Sequence, residues 1–527
     1  MEVGYSSRSL LVRVGGHRLA AIDLRRWKHG FSRRLRIKAA AKKTTAKNLW
    51  QKRLRMLANL KFGQDAGDLP DRSVAANDKP VLDDGAYVLV VLNRALRGED
   101  NAVLDAALYG AKALGLSVVV YSELDEQVAW ASDRLFYFAL GAFRECAIAL
   151  QKKNIPCIQT IKKGDTDLLS SMVSRAAVVY TDEDYTHWDR ARLDGLLDIA
   201  SQAVFFVDAS RLVPTKVLPQ GLKTTPAFRK AHGVLRDRYA DLRKTTPVVE
   251  AKVEAKEIAL DLPSDHNFAD YRDADLKELI ASCDINHDIK ISAEHPPTQA
   301  GIEMRLKTLK EKILAKYKWI RNNAALEYST SQLSPYLHFG MISPHQVLAA
   351  IESSEVPKTY TWKFRDEFLT WREWSHYQAY YVPNLHDYEA LPEKVKETLA
   401  DHADDPRPEL VSDEDILQGR TADATWNAAQ KEWMSTGWLH NNLRMYWAKQ
   451  LLRFTKTPKA AWEMACYIND YVSLDGRDPA TYASMQWAFG NAKKGYSEKA
   501  IYGWVAPKSD RAILKRDGMA EWIAQRK

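Results

Sequence analysis

Cysteine is scarce. The 527-residue chain has four, Cys146, Cys157, Cys283 and Cys466, and none stand at C-x-x-C spacing. That argues against a zinc or iron–sulfur site and leaves free thiols in a reducing compartment as the expectation. Long apolar runs are missing: none reaches the roughly 18 residues of a membrane helix, so no membrane insertion is expected. No G-x-G-x-x-G follows the first strand-like run, so a dinucleotide site of the usual Rossmann type is not indicated. Acid is nearly absent from the N-terminus. Residues 1–61 hold 17 Lys and Arg against Glu2 and Asp23, a surplus of 15 positive charges; with a total of +8, the other 466 residues carry −7. An acid-poor, Arg-rich, Ser-containing N-terminus is typical of organelle transit peptides. The same basic runs, Lys42-Lys43 and Lys52-Arg53, suit a nuclear signal or a phosphate-binding arm. The expected destinations are the nucleus, a mitochondrion or a chloroplast.

Against these absences stand 16 tryptophans and a change of period along the chain. The length admits two or three domains. Residues 1–84 read as a basic tail and an Asp/Gly/Pro-rich linker. YVLVVLN (Tyr87 to Asn93), LSVVVY (Leu116 to Tyr121), CIQTI (Cys157 to Ile161), AVVYT (Ala177 to Thr181) and VFFVDA (Val204 to Ala209) are short apolar runs fit for buried strands. Helical runs separate them, the first from Asn101 to Leu114. Such alternation implies a parallel sheet covered on both faces, so residues 85–212 read as a Rossmann-like α/β domain. Residues 213–300, rich in Pro, Lys and Asp, read as an interdomain connection, with Pro247 to Pro263 a charged, exposed segment. From Gly301 the period is helical, and residues 301–527 read as an all-α domain.

Aromatic and polar groups concentrate between Trp426 and Trp487. WNAAQ (Trp426 to Gln430), WLHNNLRMYWAK (Trp438 to Lys449), YINDYVSLDGRDP (Tyr467 to Pro479) and MQW (Met485 to Trp487) follow one another. Trp426 and Trp433, seven apart, share a helical face. Arg444, Asn469, Asp475, Arg477 and Asp478 bring charge and amide groups to the same region. Indoles beside polar groups form either a packed core with satisfied ends or a cofactor site. Upstream stand LSPYLHFG (Leu333 to Gly340) and RDEFLTWRE (Arg365 to Glu373). In this order and spacing the pieces resemble the FAD-binding helical domain of the photolyase/cryptochrome family, most closely its class II cyclobutane pyrimidine dimer photolyases. RGEDNAVL (Arg97 to Leu104) extends the resemblance, more weakly, into the α/β half.

The resemblance implies an antenna-type α/β domain followed by an all-α domain holding FAD in a U shape. A second antenna chromophore is left unidentified. FAD contacts fall on Tyr317, on Thr330, Ser331, Leu333 and Ser334 ahead of Pro335, and on Arg372. Arg444 and Asp475 match an ion pair beside the isoalloxazine ring, Asn469 an asparagine directed at the flavin N5, and Arg477 completes the polar shell. Hydroxyls and free N–H groups at a helix start favour anions; a plain N-cap, Ser334 before Pro335, is the ordinary alternative. Trp447 and Trp426 match electron-transfer tryptophans. Glu367 matches a carboxylate facing the lesion; without its flanking motif it would read as a surface Glu. Trp371 and Trp487 match aromatic walls around a flipped dimer, with Met445 on the same side and Asn441 in place of a smaller family residue. The chain departs from the pattern at Phe454, where the family has a third tryptophan, at YGWVAPK (Tyr502 to Lys508), and at Lys493-Lys494.

The function so implied is light-driven repair of cyclobutane pyrimidine dimers in DNA by electron transfer from reduced FAD. It would be the work of a carbon–carbon lyase, a monomer whose partner is UV-damaged DNA. The alternatives are a cryptochrome-type flavin photoreceptor without repair activity, and a photolyase-fold structural subunit of a larger assembly.

Overall fold

Most of the apolar runs of the N-terminal half have no polar side to turn to water and assemble as the interior of one sheet, while CIQTI forms a half-buried edge. A computed structural model describes residues 12–14, 17–19, 66–164, 167–245, 268–491 and 497–526. Strands β1 (Val12–Val14) and β2 (His17–Leu19) pair as a separate antiparallel hairpin. The main sheet holds β3 (Ser73–Ala75), β4 (Tyr87–Val91), β5 (Val118–Asp125), β6 (Cys157–Lys162), β7 (Ala176–Asp182) and β8 (Val204–Val207), in the order β3-β8-β7-β4-β5-β6. Every neighbouring pair is parallel except β3 with β8. All residues of β4 and β7 are buried, as a sheet covered by helices on both faces requires. The helix Ala102–Leu114 begins at Asn101, whose side chain accepts from the N–H groups of Val103 and Leu104.

The five expected strands are present. The sixth, β3, is a correction. Residues 66–84, assigned to tail and linker, carry the helix Leu69–Arg72 and then β3 on the sheet edge. Arg72 is buried, pairs with Asp68, and donates to the carbonyls of Asp208 and Leu212 at 3.1 and 2.9 Å. A three-residue strand is too short to show a period, so its sequence looks like a linker. Apart from the hairpin, residues 1–65 lie outside the described residues, and so do Pro247 to Pro263 and Lys493-Lys494.

From Gln299 onward the chain is helical. The expected connection also folds: Phe228 and Tyr239, in the helices Thr225–Gly233 and Arg236–Thr245, are buried with Trp374 and Tyr377 of the all-α domain. Arginines from the α/β half lock the two domains together. Arg97 donates to the carbonyls of Ala209 and Gly340, at 2.8 and 2.9 Å. Arg134 donates to the carbonyls of Met434 and Val472, at 2.6 and 3.1 Å. Gly340 has φ +66°, and a Cβ there would stand 1.8 Å from the Arg94 carbonyl oxygen. Only glycine lets the two backbones meet so closely. One core runs from the sheet into the first helices of the all-α domain; a second surrounds Trp426, Trp433, Trp447 and Trp462.

Candidate active site

Several helices of the all-α domain converge on a cavity of about 290 Å³. Thr330, Ser331, Leu333 and Ser334 line it from the turn into the short helix Ser334–His338, and Tyr317 joins from the helix Tyr317–Ile320. Within that turn Gln332 has φ +52°, a left-handed conformation uncommon for a residue with a Cβ. The plain N-cap reading of Ser334 is corrected. Leu333 occupies the N-cap and no side chain caps the helix. The Ser334 hydroxyl instead donates to Asp475 Oδ2 at 2.6 Å and accepts from the Trp438 indole at 3.2 Å. Thr330 Oγ1 is buried and has no partner.

Arg444, on the helix Asn441–Phe454, meets Asp475 at 2.7 Å. Its Nε donates to the Leu439 carbonyl at 2.8 Å, and its guanidinium lies 4.8 Å over the Trp433 ring. Burial pushes the Asp475 carboxyl up. The Arg444 charge and the hydroxyls of Ser334 and Ser473 outweigh that and hold it below the usual carboxylate range. A buried pair of this kind is weak support for stability but sets a fixed field for a ligand beside it. Asn469 donates through Nδ2 to the Ala465 carbonyl at 2.8 Å, and its Oδ1 is buried with no partner. Buried acceptors are normally satisfied, so this oxygen and the Thr330 hydroxyl both suit a polar ligand. Gly476 secures the position: a Cβ there would stand 1.9 Å from the Asn469 carbonyl oxygen.

Glu367 and Arg372 both line the cavity although they are five residues apart. In an ordinary helix five residues turn a side chain by about 140°. Here Asp366–Trp371 is π-helical, and the Arg372 N–H bonds to the Glu367 carbonyl. The wider turn brings the two side chains towards one face, a distortion common at functional sites. Glu367 pairs with Lys363 at 2.7 Å and Arg321 at 3.1 Å. Arg372 donates to the Ser210 carbonyl at 2.9 Å, which ties the cavity to the α/β half. Asn441 also lines it.

Besides the two electron-transfer tryptophans, four expected residues do not line this cavity. Trp371 and Trp487 form a half-buried edge-to-face pair, 5.1 Å between centroids. Met445 packs half-buried against the second core. Arg477, placed with the cofactor by resemblance, points elsewhere. Its φ of +59° turns the side chain out of line with Asp475 and Asp478. Its guanidinium sits 4.6 Å over the ring of Trp130, from the α/β half, and donates to the Asp470 carbonyl.

Trp447 and Trp426 are fully buried and stack 5.7 Å apart at 11°. The Trp447 indole donates to Gln430 Oε1 at 2.8 Å and the Trp426 indole to the Trp447 carbonyl at 3.0 Å. Trp433 meets Trp447 edge-on at 5.0 Å. Ring contacts therefore run from Arg444, at the cavity, through Trp433 and Trp447 to Trp426. Phe454 packs against Trp426 at 5.3 Å.

Sequence reasoning missed Thr481 and Ser484 and gave no site role to Trp438, Asp478 and Met485, although all five line the cavity. A signal existed for three of them. Thr481, Ser484 and Met485 stand three and four apart, on one face of the helix that follows LDGRDP.

No family model matches the chain. The deoxyribodipyrimidine photo-lyase of Oryza sativa subsp. japonica is 30% identical over 440 residues, 80% of this chain and 83% of that protein. The deoxyribodipyrimidine photo-lyase of Methanothermobacter thermautotrophicus is 27% identical over 441 residues, 83% of this chain and 94% of that one. Among solved structures, a class III photolyase from Agrobacterium tumefaciens superposes with TM-score 0.58 at 17% identity, over 84% of this chain and 86% of its own. A cryptochrome from Synechocystis superposes with TM-score 0.58 at 16% identity, over 83% and 88%. At those identities the structural likeness is one of fold: an α/β domain followed by a helical one.

Proposed function

The chain belongs to the photolyase/cryptochrome family, and we propose that it is a light-driven DNA repair lyase that splits cyclobutane pyrimidine dimers with reduced FAD bound in the cavity. One observation carries the proposal: the unpartnered Asn469 oxygen and the Arg444–Asp475 pair line the same cavity.

Bound FAD supplies a light-driven electron donor. Thr330, Ser331, Leu333 and Ser334 would hold its phosphates, with Tyr317 and Arg372 alongside. Asn469 would offer an acceptor to a ring N–H, and Arg444 with Asp475 would set the electrostatics around the isoalloxazine. Trp447 and Trp426 would deliver the electron that keeps the cofactor reduced; their burial keeps water from the rings. Glu367 would face the lesion with Lys363 and Arg321 beside it. Photolyases are among the enzymes that flip bases, and stacking on an aromatic face returns about 1–3 kcal/mol per base. Trp371 and Trp487 would supply that face, with Met445 and Asn441 nearby. UV-damaged DNA is the partner, the protein acts as a monomer, and the basic tail addresses it to the nucleus or an organelle. Among the described residues no helix is long and apolar enough to cross a membrane.

Phe454 favours a second reading, a cryptochrome-type photoreceptor. A phenyl ring is not redox-active in the range of an indole. Light-driven reduction would then end at Trp426, or leave through Trp433 or Tyr446, whose hydroxyl donates to Asp423. The test is an absorbance spectrum of the purified protein, then illumination with dimer-containing DNA. Flavin bands with loss of dimers support repair. Flavin bands with dimers intact support the photoreceptor, and a protein that takes up no flavin overturns both.

A further inference from the structure

Three aromatic side chains stand in water: Trp319 is 58% exposed, Trp362 47% and Tyr360 44%. Among the described residues no other Trp, Tyr or Phe is exposed to this degree. They come from two separate elements, the helices Tyr317–Ile320 and Lys358–Arg365, yet they gather in one place. Trp319 and Tyr360 meet at 5.9 Å. Lys318 Nζ lies 5.8 Å from the Trp319 ring and 5.9 Å from the Trp362 ring, and Lys363 Nζ lies 5.8 Å from Trp362. Lys316 and Lys358, both exposed, flank the group. Single exposed apolar residues are ordinary, but a cluster of large ones marks an interaction surface.

The cluster adjoins the cavity. Tyr317 and Phe364, on the same two helices, line the cavity and touch edge-on at 5.1 Å. Lys363 joins the Trp362 ring to Glu367, which also lines the cavity. Aromatic faces interleaved with lysines are the chemistry of a platform for single-stranded nucleic acid: bases stack on the rings and phosphates meet the ammonium groups. Flipping a dinucleotide out of one strand leaves the neighbouring bases without part of their stack.

We propose that Trp319, Tyr360 and Trp362, with Lys316, Lys318 and Lys358, form a docking platform for the unstacked DNA strand beside the lesion. This rests on the repair reading of the cavity. Bases flanking the flipped pair stack on the three rings while the lysines hold their phosphates. The patch contributes to affinity and to the lifetime of the opened duplex, and leaves electron transfer to the cavity.

The test uses the full chain loaded with FAD and the double variant Trp319→Ala/Trp362→Ala. Fluorescence anisotropy titrations use a labelled duplex carrying one thymine dimer, and oligo(dT) as the undamaged single strand. Flavin content and far-UV circular dichroism are expected to match the parent, since both residues are on the surface. Affinity for both DNAs is expected to fall fivefold or more, because each stacked base is worth about 5- to 150-fold. Trp319→Phe/Trp362→Phe keeps flat faces and is expected to restore most of the loss. Lys318→Ala/Lys358→Ala is expected to make the dependence of log affinity on log salt shallower by about 1.4–1.8. If the parent repairs dimers and the alanine variant binds within fivefold of it, the platform is wrong and the repair reading stands. If the parent holds FAD but neither binds nor repairs dimer DNA, both fall. If the substitutions abolish a concentration-dependent dimer of the protein and leave DNA affinity alone, the surface joins two copies of this chain and the platform is overturned.

Discussion

Replacing Glu367 by Gln separates the lesion chemistry from stability. Glu367 is 26% exposed, and its partners Lys363 and Arg321 are 18% and 26% exposed. Ion pairs at this degree of solvation are worth about 0.2–1 kcal/mol each. The amide keeps the shape and an oxygen that both cations can reach, and neither cation is stranded away from water. The net cost should be about 1 kcal/mol or less, a fall of about 1 °C in the thermal midpoint of a chain this long. The chemical loss is of another kind: an amide carries no charge for Lys363 and Arg321 to hold and cannot exchange a proton with the lesion. On the proposed reading this removes roughly one hydrogen bond of transition-state stabilisation, about 0.5–1.5 kcal/mol, a two- to tenfold drop in rate of ring splitting. The assay illuminates pre-reduced enzyme with a dimer-containing oligonucleotide and reads dimer loss per photon, with FAD content and thermal midpoint measured in parallel. Repair equal to the parent's refutes the role given to Glu367. A fall of 10 °C or more would show that the ion pairs are structural and that the estimate above is wrong.

Other perturbations have equally definite outcomes. Gly476→Ala puts a methyl where the Asn469 carbonyl oxygen is 1.9 Å away; overpacking of this kind costs about 1–3 kcal/mol, and FAD content, read by absorbance, should fall, whereas a full complement of FAD would show that the loop relaxes freely. Trp447→Phe should abolish light-driven flavin reduction while chemically pre-reduced enzyme still repairs; undiminished photoreduction sinks the indole route. Asp470 is pushed up to about 7 by burial, against the pull of Tyr482 and Arg477. The folded protein therefore keeps this proton after the unfolded chain has released it near pH 3.8, so stability from this group is lost as pH rises from about 4 to 7. Asp470→Asn removes that loss, and its thermal midpoint should gain on the parent's between pH 5 and pH 8; a pH-independent difference refutes the assignment. Deleting residues 1–65 should leave FAD content intact, whereas deleting 1–80 also strips β3 and the buried Arg72 and should lower the thermal midpoint; equal midpoints would show that the edge strand is dispensable.

The sequence by itself determined whatever depends on neighbours along the chain. A run such as YVLVV is short, β-branched and apolar on both alternating faces, which suits an interior strand, and the structure has it as β4 with every residue buried. The helical run read from Asn101 to Leu114 is a helix from Ala102, with Asn101 as its cap. The helical character after residue 301 rests on a period repeated many times, which errors at single positions do not erase. The order of LSPYLHFG, RDEFLTWRE and LDGRDP pointed to residues that do line one cavity, among them Ser334, Glu367, Arg444, Asn469 and Asp475.

Tertiary structure alone decided what depends on partners far along the chain. β3 is a strand because β8 offers an open edge, not because three residues favour extension. Ser334 serves Asp475, 141 residues away, where local rules would have it cap its own helix. Arg477 and Asp475 are two apart in one motif, yet a positive φ sends one to the domain seam and leaves the other at the cavity. The π turn that brings Arg372 beside Glu367 has no period to reveal it. Nothing along the chain marks Trp319, Trp362 and Tyr360 as one group; they form a surface cluster because Tyr317 and Phe364, on the same two helices, take the buried side. Spacing along a chain determines which residues share a face, and only the packing of the elements determines what that face meets.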